Sequence, residues 1–337
     1  MLSAPWRVVT AGRLLIAGLL LLVVVVALWV LPSNEYILLP DHAHPVAPLV
    51  QVAGGHAPTD GGGIYYVDVF ERKATLLERL FPGLRTGADL YPASEIVPPG
   101  ESSAQQGQVD QEEMRTSQQV AAAVALRALG RKVSVSRSGA LVTEVQDGDP
   151  AAGHLIPTDV ITAVDGNAVH TPADVTTAMR GKVPGTTVSF TVLRDGKTMT
   201  ISLRTVPASP GSRRGIVGIL LDQAESVHLP FKVSIDAHGV GGPSAGLAFA
   251  LDVLEELGRD VDHGHKIAAT GEIFLNGQVG PIGGIKQKTI GARESGVDAF
   301  LVPAGQNATD ARKYAHGLRI IPVKNFQQAL HALATLP

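Results

Sequence analysis

The 337 residues provide enough chain for two or three domains, and 45% of them are hydrophobic. The chain contains no cysteine, which excludes disulfide bonds, thiolate catalysis and zinc sites with cysteine ligands. A formal net charge of −3 gives no broad attraction to nucleic acid, so we do not expect nucleic acid as a partner.

The N-terminal part contains one long apolar run. Residues 14–31 (LLIAGLLLLVVVVALWVL) carry no charge and, as a helix, would extend about 27 Å, enough to cross a bilayer core. Arg7 and Arg13 precede the run and acidic residues follow it, which places the N-terminus in the cytoplasm and the rest of the chain outside it. We predict an uncleaved single-pass anchor in the cell membrane. A cleaved signal peptide is the alternative.

Residues 34–132 form an extracytoplasmic region with few clear patterns. The predicted elements are a strand over 64–70, a short helix over 74–81, a mobile loop over 95–112 and a helix over 111–129.

From residue 133 to 207 the pattern changes to short strands separated by turns. The predicted elements are strands over 140–145 and 159–164, a helix that begins after Thr171, and a hairpin over 187–194 and 198–203. The wording DGDPAAG…L…DVITAVDGNAV at 147–169 resembles a bacterial PDZ domain. Pro157-Thr158 stands where that family usually has a glycine, and the expected carboxylate-binding loop is reduced to residues 136–139. The resemblance implies capture of an extended peptide by strand addition, and a simple spacer is the alternative.

Residues 208–337 alternate strands and helices. The predicted strands are 231–235, 266–270, 299–302 and 318–322, and the predicted helices are 245–257, 286–295, 308–316 and 326–333.

Ser244 is the first candidate for chemistry in this segment. Two glycines and Pro243 precede it and force the backbone to turn, and an apolar helix that we expect to be amphipathic follows. Free N–H groups at a helix start favour negative charge, so the backbone near Gly242 and Ala245 would suit an oxyanion. Ser244 is equally typical of a plain helix N-cap.

Lys288 is the matching candidate base. Ile285 and Ala292 lie on the same side of the predicted helix, which indicates that Lys288 points towards the apolar side. Loss of hydration lowers the pKa of a lysine amine, so Lys288 can accept a proton from a serine hydroxyl near neutral pH. Thr270, at the end of a predicted strand, is a candidate partner for the amine.

The wording around these residues resembles the proteolytic domain of Lon proteases. GGPSAG, ATGEIFLNGQVGPIGGIKQK and GARESGVDAFLVP carry the likeness, which covers residues 215–335. It implies Ser244 as nucleophile and Lys288 as base. The 337 residues contain no G-x-x-x-x-G-K-[ST] phosphate loop, and the PDZ-like segment lies where an ATPase module would be. The whole arrangement resembles membrane-anchored PDZ–Lon proteins of Gram-positive bacteria, including actinobacteria. That implies ATP-independent cleavage of unfolded or exposed polypeptide, by a chain that assembles into rings.

Two other functions fit parts of the sequence. Residues 242–246 also match the G-x-S-x-G turn of α/β hydrolases, for which Asp310 and His331 would complete a triad. An inactive, membrane-tethered PDZ binding module is the second alternative.

We expect no cofactor and no metal. The histidine pairs at 42/44 and 263/265 lie in sequence typical of loops, and neither has an obvious third ligand. The acidic residues at 255, 256, 260 and 262 are typical of a solvated helix end.

The sequence thus predicts an α+β protein with an N-terminal transmembrane helix, a β-rich PDZ-like domain and a Lon-type α/β proteolytic domain. The predicted segments are 1–33 for the cytoplasmic stub and anchor, 34–132 for the extracytoplasmic N-terminal region, 133–207 for the PDZ-like domain and 208–337 for the proteolytic domain. The predicted function is a serine endopeptidase with polypeptide substrates.

Overall fold

The computed structural model describes residues 11–55, 61–97, 103–237 and 239–336. Arg7, which supports the predicted orientation of the anchor, lies outside these residues. The chain divides into two compact units, one with residues up to Pro40 and Val69–Ile96 and one with Asp41–Asp68 and the residues from Val97 onward.

The first part of the chain contains four helices and four strands among its described residues. In chain order they are α1 (Ala11–Val30), β1 (Pro32–Pro45), β2 (Val50–Val52), β3 (Gly63–Thr75), α2 (Leu76–Leu80), β4 (Asp89–Pro92), α3 (Ala93–Ile96) and α4 (Ser103–Ala128).

The smaller unit contains α1 and an antiparallel pairing of β1 with β4. Helix α1 is long and apolar enough to cross a membrane, and none of its 19-residue span Gly12–Val30 is buried against the rest of the chain. An apolar N-terminal helix of this kind is compatible with either a membrane span or a signal sequence. The membrane anchor therefore remains a prediction.

The middle of the chain forms a second set of elements. They are β5 (Ser134–Val145), β6 (Val160–Val164), β7 (Asn167–Ala168), α5 (Pro172–Met179), β8 (Thr187–Arg194), β9 (Lys197–Arg204), β10 (Val206–Pro207), β11 (Gly215–Ile216) and β12 (Ile219–His228).

Five of these strands form a sheet in the order β12-β5-β6-β8-β9, β7 pairs with β6 beside that order, and β10 pairs with β11 separately. The sheet packs around its own apolar core. Phe190 and Ile161 are fully buried in this core, and α5 contributes Val175. The helix begins where the sequence predicts, because the Thr171 side chain and Asp174 form a reciprocal capping box. Strand β12 belongs to this sheet although it follows the predicted boundary at residue 207.

One prediction for this sheet is wrong. Residues 136–139, expected to form a short carboxylate-binding loop, lie within β5 and pair with β12, where Ser136 is opposite Ser226 and Gly139 is opposite Ala224. The strand next to β5, at the end of the sheet order, is β12, which begins at Ile219, 74 residues after β5 ends at Val145 (219 − 145 = 74). Sequence order concealed this pairing.

The last part of the chain forms the remaining elements. They are β13 (Val233–Ile235), α6 (Gly246–Glu256), β14 (Lys266–Ala269), β15 (Glu272–Ile273), β16 (Val279–Gly280), α7 (Ile285–Glu294), β17 (Ala299–Pro303), α8 (Gln306–Tyr314), β18 (Arg319–Val323) and α9 (Phe326–Ala334).

Strands β18, β17, β14 and β3 lie side by side as a parallel sheet in the larger unit. Successive residues of a strand point to opposite faces, so Ile267 joins the core that contains α4 and α6, while Ala268 joins the core that contains α7 and α8. Helices on both faces of a parallel sheet form an α/β domain, as predicted.

Two predictions about helices need correction. Helix α4 begins at Ser103 and replaces most of the predicted loop, because Val109 and Met114 bury one face of its polar sequence. Helix α6 is buried at every position and is not amphipathic. Residues of α4, among them Ala121 and Val124, share one core with α6, so the side expected to face solvent is covered.

Candidate active site

The turn that carries Ser244 is fixed by α4. Gly242 has a φ of +77°, a left-handed value that favours glycine, and a 3₁₀ turn over Pro243–Ala245 leads into α6. The Gly242 N–H donates to the Asp110 carbonyl at 2.8 Å, and the Ser117 hydroxyl donates to the Pro243 carbonyl at 3.0 Å. The nucleophile turn is therefore held from outside by a helix that the sequence did not connect with it.

The end of β14 holds the same turn from the other side. The Ser244 carbonyl accepts hydrogen bonds from the Gly271 N–H at 2.8 Å and from the Thr270 hydroxyl at 3.1 Å. The Leu247 N–H donates back to the Gly271 carbonyl at 3.0 Å. These bonds fix the position of the Ser244 backbone relative to the sheet.

Lys288 reaches Ser244 from α7. The helix follows Gly284, whose φ is +66°, and the Lys288 side chain is only 3% exposed. Its Nζ lies 2.6 Å from Ser244 Oγ and 3.5 Å from Thr270 Oγ1, while Thr270 itself is fully buried. The structure thus brings Ser244, Lys288 and Thr270 together, although 44 residues separate Ser244 from Lys288.

The surroundings of Lys288 favour its neutral form. Burial lowers the pKa of the Lys288 amine from 10.5 to about 8, against the opposing effect of the Asp68 carboxylate. Burial and the nearby charge of Asp41 raise the pKa of Asp68, while His44 and Lys288 oppose that rise. A lysine with a pKa near 8 is partly deprotonated at neutral pH, so it can remove a proton from the adjacent hydroxyl.

The two backbone positions expected to support an oxyanion have different surroundings. The N–H of Gly242 already donates to Asp110, so it is not free to bind a reacting oxygen, and this part of the prediction is wrong. Ala245 lies within the 3₁₀ turn and is buried. Its role stays a prediction.

The sequence did not reveal two contributions to this site, which are Asp68 from β3 and the residues of α4 that pack against the nucleophile turn. Gly246 has no room for a side chain, since a Cβ there would lie 2.6 Å from Ser117 Oγ. A Cβ at Gly241 would lie 2.8 Å from the Asp110 Cβ. These glycines signal a close approach by another element, but the sequence alone does not say which one.

A set of carboxyl groups lies beside the nucleophile turn. Burial, then repulsion from Asp110 and Glu272, raises the pKa of Glu113 to about 7. Burial also raises the pKa of Asp110 and of Glu272. Glu272 follows Gly271, whose N–H donates a hydrogen bond to the Ser244 carbonyl. The three carboxyl groups of Asp110, Glu113 and Glu272 therefore border the site.

The alternative triad is not assembled. The Asp310 carboxylate accepts hydrogen bonds from Gln306 and Lys313 on its own helix, and His331 is exposed on α9. Ser244 Oγ instead faces the Lys288 amine.

The two histidine pairs differ from each other. His42 and His44 lie in β1 and not in a loop, and the His44 ring stacks on Tyr66 with its Nε2 3.3 Å from Asp41. His263 and His265 lie in the turn before β14 with partly exposed rings, as predicted.

Two family models match segments of this chain. Residues 127–205 match the model of the PDZ domain, and residues 196–335 match that of the Lon protease (S16) C-terminal proteolytic domain. The second match contains Ser244, Thr270 and Lys288.

Two Lon proteases and one PDZ domain of solved structure are each similar to part of this chain. Lon protease 2 of Bacillus subtilis is 35% identical over 33% of this chain and 19% of its own length. The Lon protease of Chloroflexus aggregans is 32% identical over 42% of this chain and 18% of its own length. The PDZ domain of the SdrC-like protein from Listeria monocytogenes is 27% identical over 26% of this chain and 92% of that structure, with a TM-score of 0.24. The matched part therefore spans less than a fifth of the length of these Lon proteases. The chain carries a PDZ domain followed by a Lon-type proteolytic domain.

Proposed function

We propose that the chain is a serine endopeptidase that uses Ser244 as nucleophile and Lys288 as general base. The observation that carries this proposal is the 2.6 Å separation between Ser244 Oγ and the buried Lys288 Nζ. The neutral amine takes the hydroxyl proton as Oγ attacks the scissile carbonyl, and the resulting ammonium gives that proton to the departing amine. A water molecule, deprotonated by the same lysine, then hydrolyses the ester and regenerates the serine.

Thr270 is a positioning residue in this proposal. Its hydroxyl fixes the Ser244 carbonyl and lies 3.5 Å from the Lys288 amine, so it can hold both groups in register. The Ser244 N–H, at the first turn of the helical segment, is our candidate oxyanion donor together with Ala245.

We further propose that the enzyme works without ATP, outside the cytoplasm, on unfolded or exposed polypeptide. The apolar helix α1 and the absence of a phosphate loop from these 337 residues support this assignment. Strand β12 is the natural place for a peptide to add to the PDZ sheet, because it ends the strand order beside α5. The Gln223 side chain of β12 donates to the His170 carbonyl just before that helix. Peptide bound at β12 would be recruited to the Ser244–Lys288 site or would block access to that site. We also propose that the chain acts as a homo-oligomeric ring.

A cleavage assay tests the proposal. The full chain, purified in detergent, is incubated with fluorescently labelled unfolded casein without nucleotide. We expect cleavage by the unaltered protein, loss of cleavage in Ser244→Ala and Lys288→Met, and no stimulation by ATP. Full cleavage by Ser244→Ala would reject the serine mechanism, and no cleavage by a folded unaltered chain would favour the inactive binding module.

A further inference from the structure

An exposed apolar segment follows α2 in the smaller unit. Residues 80–84 (LFPGL) contain the last residue of α2, Phe81 and a 3₁₀ turn over Pro82–Leu84. Leu80, Phe81 and Leu84 are between 56% and 60% exposed. A single exposed leucine is ordinary in a folded protein, but three large apolar side chains within this short segment are typical of a surface that contacts an apolar partner.

The start of α2 is fixed to the end of α1. The Leu76 N–H donates to the Leu31 carbonyl at 3.0 Å, and Leu31 directly follows the apolar span Gly12–Val30. A reciprocal capping box between Thr75 and Glu78 fixes the first turn of α2. This helix has only five residues, so its last residue stays within roughly 10 Å of Leu31.

The chain directly after the 80–84 segment is fixed at the same place. The Arg85 guanidinium lies 5.9 Å from the centroid of the Trp29 ring, in the last turn of α1. Arg85 also donates to the buried Glu78 carboxylate at 3.2 Å, and Arg72 donates to the same carboxylate. Both ends of the 80–84 segment are therefore held beside the C-terminal end of α1.

This position favours a lipid bilayer as the partner of the segment. Tryptophan is enriched where the hydrocarbon core meets the headgroups, so Trp29 marks that level for a membrane-spanning α1. Apolar side chains held at this level enter the boundary between headgroups and acyl chains. The half-exposed side chains of Arg79 and Arg85 can meanwhile keep their charges among the headgroups.

We propose that Leu80, Phe81 and Leu84 dock the smaller unit on the outer leaflet of the membrane that α1 spans. The proposal rests on the membrane anchor predicted for α1, and it does not depend on the peptidase mechanism. A single helix leaves the domain that follows it free to tilt, whereas a second contact with lipid would fix the tilt of the smaller unit relative to the bilayer.

Spin labels on single cysteines measure the surroundings of each position. The 337 residues contain no cysteine, so one substitution creates one labelling site. The full chain carries Ser244→Ala to prevent self-cleavage and is reconstituted in vesicles made from equal parts of phosphatidylcholine and phosphatidylglycerol. Electron paramagnetic resonance then compares how often the label collides with oxygen, which dissolves in lipid, and with a water-soluble nickel chelate.

Phe81→Cys is the test variant and Phe70→Cys is its matched control. Both replace an exposed phenylalanine of the smaller unit, and Phe70 lies roughly 17 Å along β3 from Thr75, where that strand ends. Leu21→Cys, in the middle of α1, reports on the anchor. At positions 81 and 21 we expect oxygen to collide with the label several times more often than the chelate does. At position 70 we expect the reverse order.

Frequent collisions of the chelate with the label at position 81 would overturn the docking proposal, because that side chain would lie in water. Few collisions with either reagent would overturn it in favour of a contact with a second copy of the chain. Equal readings at positions 70 and 81 would overturn the assignment to the 80–84 segment. Frequent collisions of the chelate at position 21 would reject the anchor itself, so the two failures are distinguishable. Leu84→Cys serves as the second test site if Phe81→Cys does not fold.

Discussion

Replacement of Lys288 by methionine should abolish cleavage and yet stabilise the folded protein at neutral pH. The pKa of the amine is 10.5 in the unfolded chain and about 8 in the folded one. Each pKa unit between the two states corresponds to about 1.4 kcal/mol, so the buried ammonium costs the folded state about 3 kcal/mol at pH 7. Methionine has a similar length and carries no charge, so it removes this penalty.

The direction of the Lys288 pKa shift determines how the stability penalty of the buried ammonium changes with pH. The pKa is lowered on folding, so the penalty is fully present below pH 8 and disappears as the pH rises from 8 to 10.5. The free energy of unfolding of Lys288→Met minus that of the wild type should therefore fall by about 2 kcal/mol between pH 7 and pH 10. Hydrogen bonds lost with the amine add an offset that does not change with pH.

Urea unfolding followed by circular dichroism, at pH 7 and pH 10, measures this difference. Lys286→Met is the matched control, since it removes the same charge from the same helix at a partly exposed side chain near the Tyr314 ring. The change with pH of the Lys288→Met difference is read relative to the change that Lys286→Met shows under the same conditions. A Lys288→Met difference that is equal at both pH values would refute the reasoning.

Two further predictions concern residues around the dyad. Asp68→Asn removes a carboxylate that raises the pKa of Lys288. In peptide-cleavage assays, the rise of kcat/KM with pH should therefore move to lower pH by roughly half a unit. A move to higher pH would contradict the assigned electrostatic effect of Asp68 on Lys288. Gly246→Ala places a Cβ 2.6 Å from Ser117 Oγ and should lower kcat on the order of tenfold or more by displacing the nucleophile turn. Gly283→Ala meets nothing within 4 Å and is its control, and equal activity of the two variants would show that the tight packing at Gly246 is unimportant.

The sequence predicted the elements that carry the dyad well. The parallel strand β14 and the helices α6 and α7 appear close to their predicted bounds, because short apolar runs bordered by glycine are strong signals. Ser244 and Lys288 also follow from local patterns, a forced turn and a lysine on an apolar face.

Features that depend on distant parts of the chain were missed. Residues 103–112 are polar and predict a loop, yet they are helical because α4 packs in the same core as α6. Glu255, Glu256 and Asp262 are buried and not solvated as predicted, because their burial follows from tertiary packing and has no local signal in a helix end rich in acidic residues. The role of β12 in the PDZ sheet was hidden because its partner β5 lies far away in sequence.

The most direct test of the central claim is the site and pH dependence of covalent labelling by a peptidyl β-lactone. The lactone ring opens when a hydroxyl attacks its carbonyl and leaves an ester that retains the whole mass of the reagent. We predict a single adduct on Ser244, formed at a rate that increases through pH 8, and at a rate at least about a hundredfold lower in Lys288→Met. An adduct on another residue, or equal labelling rates in the wild type and Lys288→Met, would contradict the Ser–Lys mechanism.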